Sequence, residues 1–86
     1  MSWTLAYAPS AVRFLERLRD AKLLKRLHKA LEGLQTDPHP PASIKHSGED
    51  DLHRIRVGDY RILYAVRDAQ LLVLVVDIGH RREIYR

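Results

Sequence analysis

From Leu52 to Arg86 the chain reads LHRIRVGDYRILYAVRDAQLLVLVVDIGHRREIYR: three apolar-rich runs separated by two short turn signals, Val57-Gly58-Asp59 and Arg67-Asp68-Ala69-Gln70. Successive side chains of a strand point to opposite faces, so alternation of apolar and polar residues marks a half-buried strand. In the first run Ile55 and Val57 alternate with Arg54 and Arg56. In the second, Tyr60, Ile62, Tyr64 and Val66 share one face and Arg61 takes the other. Leu71 to Ile78 is almost wholly apolar, the pattern of a strand covered on both sides. The short turns make antiparallel hairpins the economical connection.

The first half of the chain has another period. Trp3, Leu5 and Tyr7 alternate over a short strand, and Ala8-Pro9-Ser10 predicts a helix start. Ala11, Phe14, Leu15 and Leu18 then mark one helix face; the pattern slips near Asp20 and restarts with Leu24, Leu27, Leu31 and Leu34. This predicts two helices in an antiparallel hairpin, jointed near Arg19 to Lys22 and stopped by Asp37-Pro38. Asp37 to Asp51 reads as a long connection, too polar to pack, with Lys45 its only Lys or Arg. The order predicts an α+β fold in a single domain, residues 1–86. It has an N-terminal strand, a two-helix hairpin, then three or four antiparallel strands forming a curved sheet.

Composition narrows the function classes. The 86 residues carry a formal net charge of +4, which favours an anionic partner. With no cysteine, disulfides and thiolate chemistry are excluded. No stretch approaches a membrane span, and the N-terminus lacks the plan of a signal peptide, so a soluble, cytoplasmic protein with no membrane partner is expected. His39, His46 and His53 recur every seven residues, but Pro40 and Pro41 rule out a helix presenting them together; no metal and no other cofactor is assigned. Arg13, Arg17, Arg19, Lys22, Lys25, Arg26 and Lys29 read first as a solvated helix face and second as a non-specific phosphate-binding surface.

The basic residues are segregated by type. Seven arginines and no lysine lie between Leu52 and Arg86, while lysines are common in the helices. A guanidinium is a planar fork of donors that binds phosphate in a fixed orientation. Arg54, Arg56 and Arg61 fall on the face opposite the core, and Arg81 has the parity of Val73, Val75 and Asp77 if its strand continues that far. Tyr85 reads equally as a packing residue and as one that stacks a base or donates a proton. Were the face to cleave RNA, the neighbouring 2′-hydroxyl would attack the phosphate. That requires a base, an acid, and cations for the transition state. His80, beside Arg81, is the first candidate among titratable groups and His53 the second.

LHRIRVGDYRILYAV followed by VVDIGHRREIYR resembles the RelE/ParE superfamily of toxins from toxin–antitoxin modules, and the resemblance covers nearly the whole chain. Its most specific parts are Arg56 to Arg61 and Gly79 to Glu83. The resemblance implies a RelE-like fold. It also implies an endoribonuclease (mRNA interferase) that cuts messenger RNA in the ribosomal A site and leaves a 2′,3′-cyclic phosphate. By the same resemblance Arg61 and Arg81 hold the scissile phosphate and Tyr85 takes the place of the C-terminal catalytic tyrosine. Arg54 and Arg56 occupy positions where the best-known members carry a basic pair, often lysines. Arginine is a poor proton carrier near neutral pH, so the base is left to His80 or Lys45, or the rate rests on positioning and charge. The implied partners are a RelB- or ParD-like antitoxin, the ribosome and its mRNA. The alternative is a ParE-like toxin that binds DNA gyrase without a nuclease site; a third is a degenerate toxin that keeps only its antitoxin.

Overall fold

The computed structural model describes residues 3–40, 43–45 and 52–80. The chain runs β1 (Thr4–Tyr7), α1 (Pro9–Arg17), α2 (Ala21–Thr36), β2 (Ile44–Lys45), β3 (Leu52–Val57), β4 (Tyr60–Arg67) and β5 (Leu72–His80), with a 3₁₀ turn at Asp68–Gln70. The strands form one sheet in the order β1-β5-β4-β3-β2. β1 lies parallel to β5, while β2 to β5 pair antiparallel in sequence order. The sheet is therefore mixed: the helical hairpin carries the chain from β1 at one edge to β2 at the other, and the antiparallel run β2 to β5 returns it alongside β1. Ile44–Lys45, expected as loop, adds a two-residue edge strand.

Each helix end has a local cause. Pro9 opens α1 without any side-chain cap; Ser10 donates from Oγ to the Val76 carbonyl at 2.8 Å and ties α1 to β5. The slip at Asp20 is the cap of α2, where the Asp20 carboxylate accepts from the Leu23 amide at 3.1 Å. Leu23, Leu27, Leu31 and Leu34 then form one buried stripe down α2. It packs on the face of the sheet that carries Ile55, Val57, Ile62, Tyr64, Val66, Val73, Val75 and Ile78.

The polar connection after α2 packs more than its composition suggests. Pro38 is buried, and the Tyr64 hydroxyl, itself fully buried, donates to the Pro38 carbonyl at 2.9 Å. Along β5 the expected cover on both sides is met on one only: Val73 and Val75 are buried, whereas Leu72, Leu74 and Val76 are half-buried. The β4–β5 register shifts between Leu63 and Tyr64, so that Tyr64 faces Val75, Leu63 faces Asp77, and Val76 is the bulged residue. A bulge inserts one residue and re-aims those that follow. Asp77 and Gly79 thus leave the parity of Val73 and Val75, and Ile78 takes the core side.

Candidate phosphate-binding face

The face away from the helices is built on β3 and β4. Arg56 is the direct cross-strand partner of Arg61, and Arg54 that of Leu63, so the three predicted arginines do share a face. Arg54 and Arg61 are half-buried, with each Nε wholly shielded from solvent. A guanidinium partly withdrawn from water interacts more strongly with an anion than a fully solvated one. Arg56 is exposed and turns aside: its Nε donates to the Gly58 carbonyl at 2.9 Å.

Gly79 stands opposite Arg61 in the β4–β5 ladder. Gly79 brings no side chain to the flank of Arg61 and is itself buried. Asp77, two positions back on the same face, is the one carboxylate in the described strands, and its Oδ1 accepts from the Ile78 amide at 2.9 Å. Strict alternation assigns Asp77 to the core side; only the bulge brings it out.

The two groups considered for proton transfer lie on the other face. His80 pairs with Tyr60, and its ring meets Tyr60 edge-on at 5.5 Å; Tyr60 in turn packs against Phe14 at 5.8 Å. Lys45 pairs with His53, which faces the helices, while its neighbour Ile44 pairs with Arg54. The sheet therefore separates His80 and Lys45 from Arg61. Arg81 and Tyr85 lie outside the described residues.

His53, the second titratable candidate, belongs to the structural side. Its ring stacks on Tyr64 at 5.7 Å and 23°, and His39 meets it edge-on at 5.0 Å. Burial holds its pKa below the ordinary 6.5, the positive charges of His39 and Lys45 act the same way, and Asp68 opposes them. Burial raises the pKa of Tyr64. Among the described residues no cluster of three or more His, Cys, Asp or Glu is arranged to hold a metal ion, and no helix is long and apolar enough to cross a membrane.

Comparison with known proteins places this geometry. Residues 5–85 match the family described as the ParE toxin of the type II toxin–antitoxin system parDE. The chain is 29% identical over 82 residues to the toxin RelE of Mycobacterium tuberculosis, covering 95% of this chain and 84% of that one. Among solved structures it superposes on the archaeal RelE–RelB complex from Pyrococcus horikoshii with a TM-score of 0.81 and 26% identity, over 96% of this chain and 99% of that chain. The isolated E. coli RelE toxin gives a TM-score of 0.82 at 26% identity, over 98% and 92%. The chain belongs to the RelE/ParE superfamily and is a toxin of a type II toxin–antitoxin system.

Proposed function

We propose that this toxin is a RelE-like endoribonuclease that cleaves messenger RNA on the ribosome, in the cytoplasm, and is neutralised by a cognate RelB-like antitoxin. The observation that supports the reading is that Arg54 and Arg61, both half-buried, share the sheet face away from the helices, with Gly79 opposite Arg61. Phosphoryl transfer gives the protein little covalent chemistry to perform; positioning and charge supply most of the rate. The 2′-oxygen forms a bond to phosphorus, the bond to the 5′-oxygen breaks, and that oxygen takes a proton. The products are a 2′,3′-cyclic phosphate and a free 5′-hydroxyl. In this scheme Arg61 and Arg81 bind the non-bridging oxygens, Arg54 adds charge, and Tyr85 protonates the leaving oxygen.

Among the described strand residues of that face Asp77 is the one carboxylate available to take the 2′-hydroxyl proton; His80 and Lys45 stand across the sheet. The rate then rests chiefly on alignment and on the arginine charge. Primer extension on messages from translating ribosomes tests the reading, with wild type beside Arg61→Ala, Arg81→Ala and Tyr85→Ala. A-site cuts that disappear in Arg61→Ala and Arg81→Ala are expected. Growth arrest with intact messages would instead favour the alternative reading, a ParE-like toxin that binds DNA gyrase.

A further inference from the structure

A second group of cations lies where α2 passes the β3–β4 turn. A cleft of about 430 Å³ there is lined by Arg26, Lys29, Ala30, Arg56, Val57 and Gly58. Gly58 takes φ +61°, the left-handed region the tight turn requires, and its missing side chain has a further use. A methyl group at Gly58 would sit 3.1 Å from one terminal nitrogen of Arg26 and 3.4 Å from the other. The turn thus seats one guanidinium on its glycine and holds a second, Arg56, through the glycine carbonyl at 2.9 Å. Among the described residues no carboxylate pairs with Arg26, Lys29 or Arg56.

The cleft continues along α2. Lys22, Arg26 and Lys29 recur at helical spacing, so they project from one side, with Lys25 alongside; all are exposed. At 1.5 Å per residue the ridge spans about 10 Å before it reaches Arg56. A row of cations on this scale suits successive phosphates of one strand. An acidic polypeptide that folds on binding would need apolar burial to offset its ordering. Among the described residues the exposed large apolar side chains, Tyr7, Val12, Ile44 and Leu71, all lie elsewhere, and the apolar surface along the ridge is that of its own lysine and arginine stems, with Glu32 at its far end. Binding of a phosphodiester strand needs no such anchor, since it is driven by counterion release.

We infer that the α2 ridge and the β3–β4 turn form a second anion site, which grips the phosphodiester backbone of RNA apart from the arginine face of the sheet. The inference goes beyond cleavage and does not depend on it. A site of this kind holds the strand while a different surface acts on it, so it sets affinity without touching the reacting phosphate.

The test uses a short fluorescent 2′-O-methyl RNA, which lacks the nucleophilic hydroxyl and cannot be cut, titrated with the whole chain over a range of salt. Arg26→Gln with Lys29→Gln is expected to weaken binding at least about ten-fold at low salt. It should also reduce the slope of log K on log salt by roughly 1.4, about 0.7 for each phosphate no longer neutralised. Arg56→Gln in addition removes about 0.7 more. Circular dichroism checks that these exposed variants fold. The control is Arg13→Gln with Arg17→Gln on α1, which removes the same charge elsewhere and should change the slope by less than half as much. Wild-type binding by the α2 pair overturns the site, and so does an equal loss in the α1 control, which would reduce it to net charge. Poly-glutamate that competes as well as RNA of equal charge, and stops competing in the same variants, would reassign the surface to an acidic polypeptide. No arm reads cleavage, so a failed nuclease reading leaves the outcome intact.

Discussion

Arg61 and Ile62 are consecutive residues of β4, and they face in opposite directions. Ile62 has no exposed surface and sits opposite Ile78 in the core beneath the helices. Arg61 lies on the side away from α1 and α2, between Arg56 and Gly79, with its Nε shielded. The division continues along the sheet: Tyr64, Val66, Val73 and Val75 hold the helices, while Arg54, Arg61 and Asp77 share the other side with Leu63, Ala65 and Leu74. The difference shows how 86 residues support both a core and a site: strand alternation lets one element serve each on a separate face. Chemistry on the open face then varies at little expense to packing, and the rigidity of the core face positions the arginines.

The largest effects should separate along that boundary. Arg61→Ala is expected to lower the proposed RNA cleavage by roughly 10²- to 10³-fold, the scale for removing one transition-state donor. Its stability to urea should change by less than about 1 kcal/mol. Ile62→Ala, one residue on, should destabilise the fold by roughly 2–5 kcal/mol through the cavity it leaves. Cleavage per folded molecule should stay within a few-fold of wild type. Single-turnover cleavage measured beside urea unfolding decides the matter. A large stability loss in Arg61→Ala would mean that the open face also holds the fold together.

Much of this division is legible in the sequence. Arg54 and Arg56 alternate with Ile55 and Val57, and Tyr60, Ile62, Tyr64 and Val66 keep one parity, so the faces of Arg54, Arg56 and Arg61 can be read directly even though Leu63 and Ala65 break the polar side of the pattern. Beyond Val75 they cannot, because a bulge depends on how two strands meet and Val76 carries no local sign of it. That one residue moves Asp77 to the side opposite the one its parity predicts. It also separates His80 from Arg61, since His80 pairs with Tyr60 on the core side. The parallel place of β1 and the edge strand Ile44–Lys45 are hidden for the same reason: both are set by long-range pairing. Pro38 and Tyr64 are 26 residues apart, and nothing local announces the bond between them.

The β3–β4 turn sharpens the comparison at its margin, where the two faces meet. Gly58→Ala places a Cβ in the left-handed region, at about 1–2 kcal/mol, and presses on the Arg26 guanidinium. Arg26 can yield because the clash is at the free end of a flexible side chain. Urea unfolding should therefore show the backbone cost alone. A loss well beyond about 2 kcal/mol would mean that Arg26 is locked in place and that the turn is part of the core. Tyr64→Phe probes the core side with a smaller expected loss, about 1 kcal/mol, for the bond to the Pro38 carbonyl. An unchanged midpoint would show that the hydroxyl of Tyr64 does not hold the connection after α2.

The smallest effect is one of pH, and it resides in the stack of His39, His53 and Tyr64 on the core side. The folded protein holds the His53 pKa below its ordinary value of 6.5, mainly by burial, with His39 and Lys45 adding to the shift and Asp68 opposing it. Above 6.5 the imidazole is neutral in both states and contributes nothing to the pH dependence. As pH falls below 6.5 the unfolded chain takes up a proton that the folded chain still refuses, so stability falls. The decline ends once pH passes below the depressed folded value, where both states are protonated. His53→Phe keeps a ring against Tyr64 and removes the titration. The fall in urea midpoint between neutral and mildly acidic pH should then be smaller than in wild type. An equal fall in both proteins would place the acid sensitivity elsewhere and leave His53 as packing alone. Either result bears on the division between the faces. A core-side histidine that tunes stability while cleavage per folded molecule keeps its own pH profile is what two independent faces require; a shared profile would tie them together.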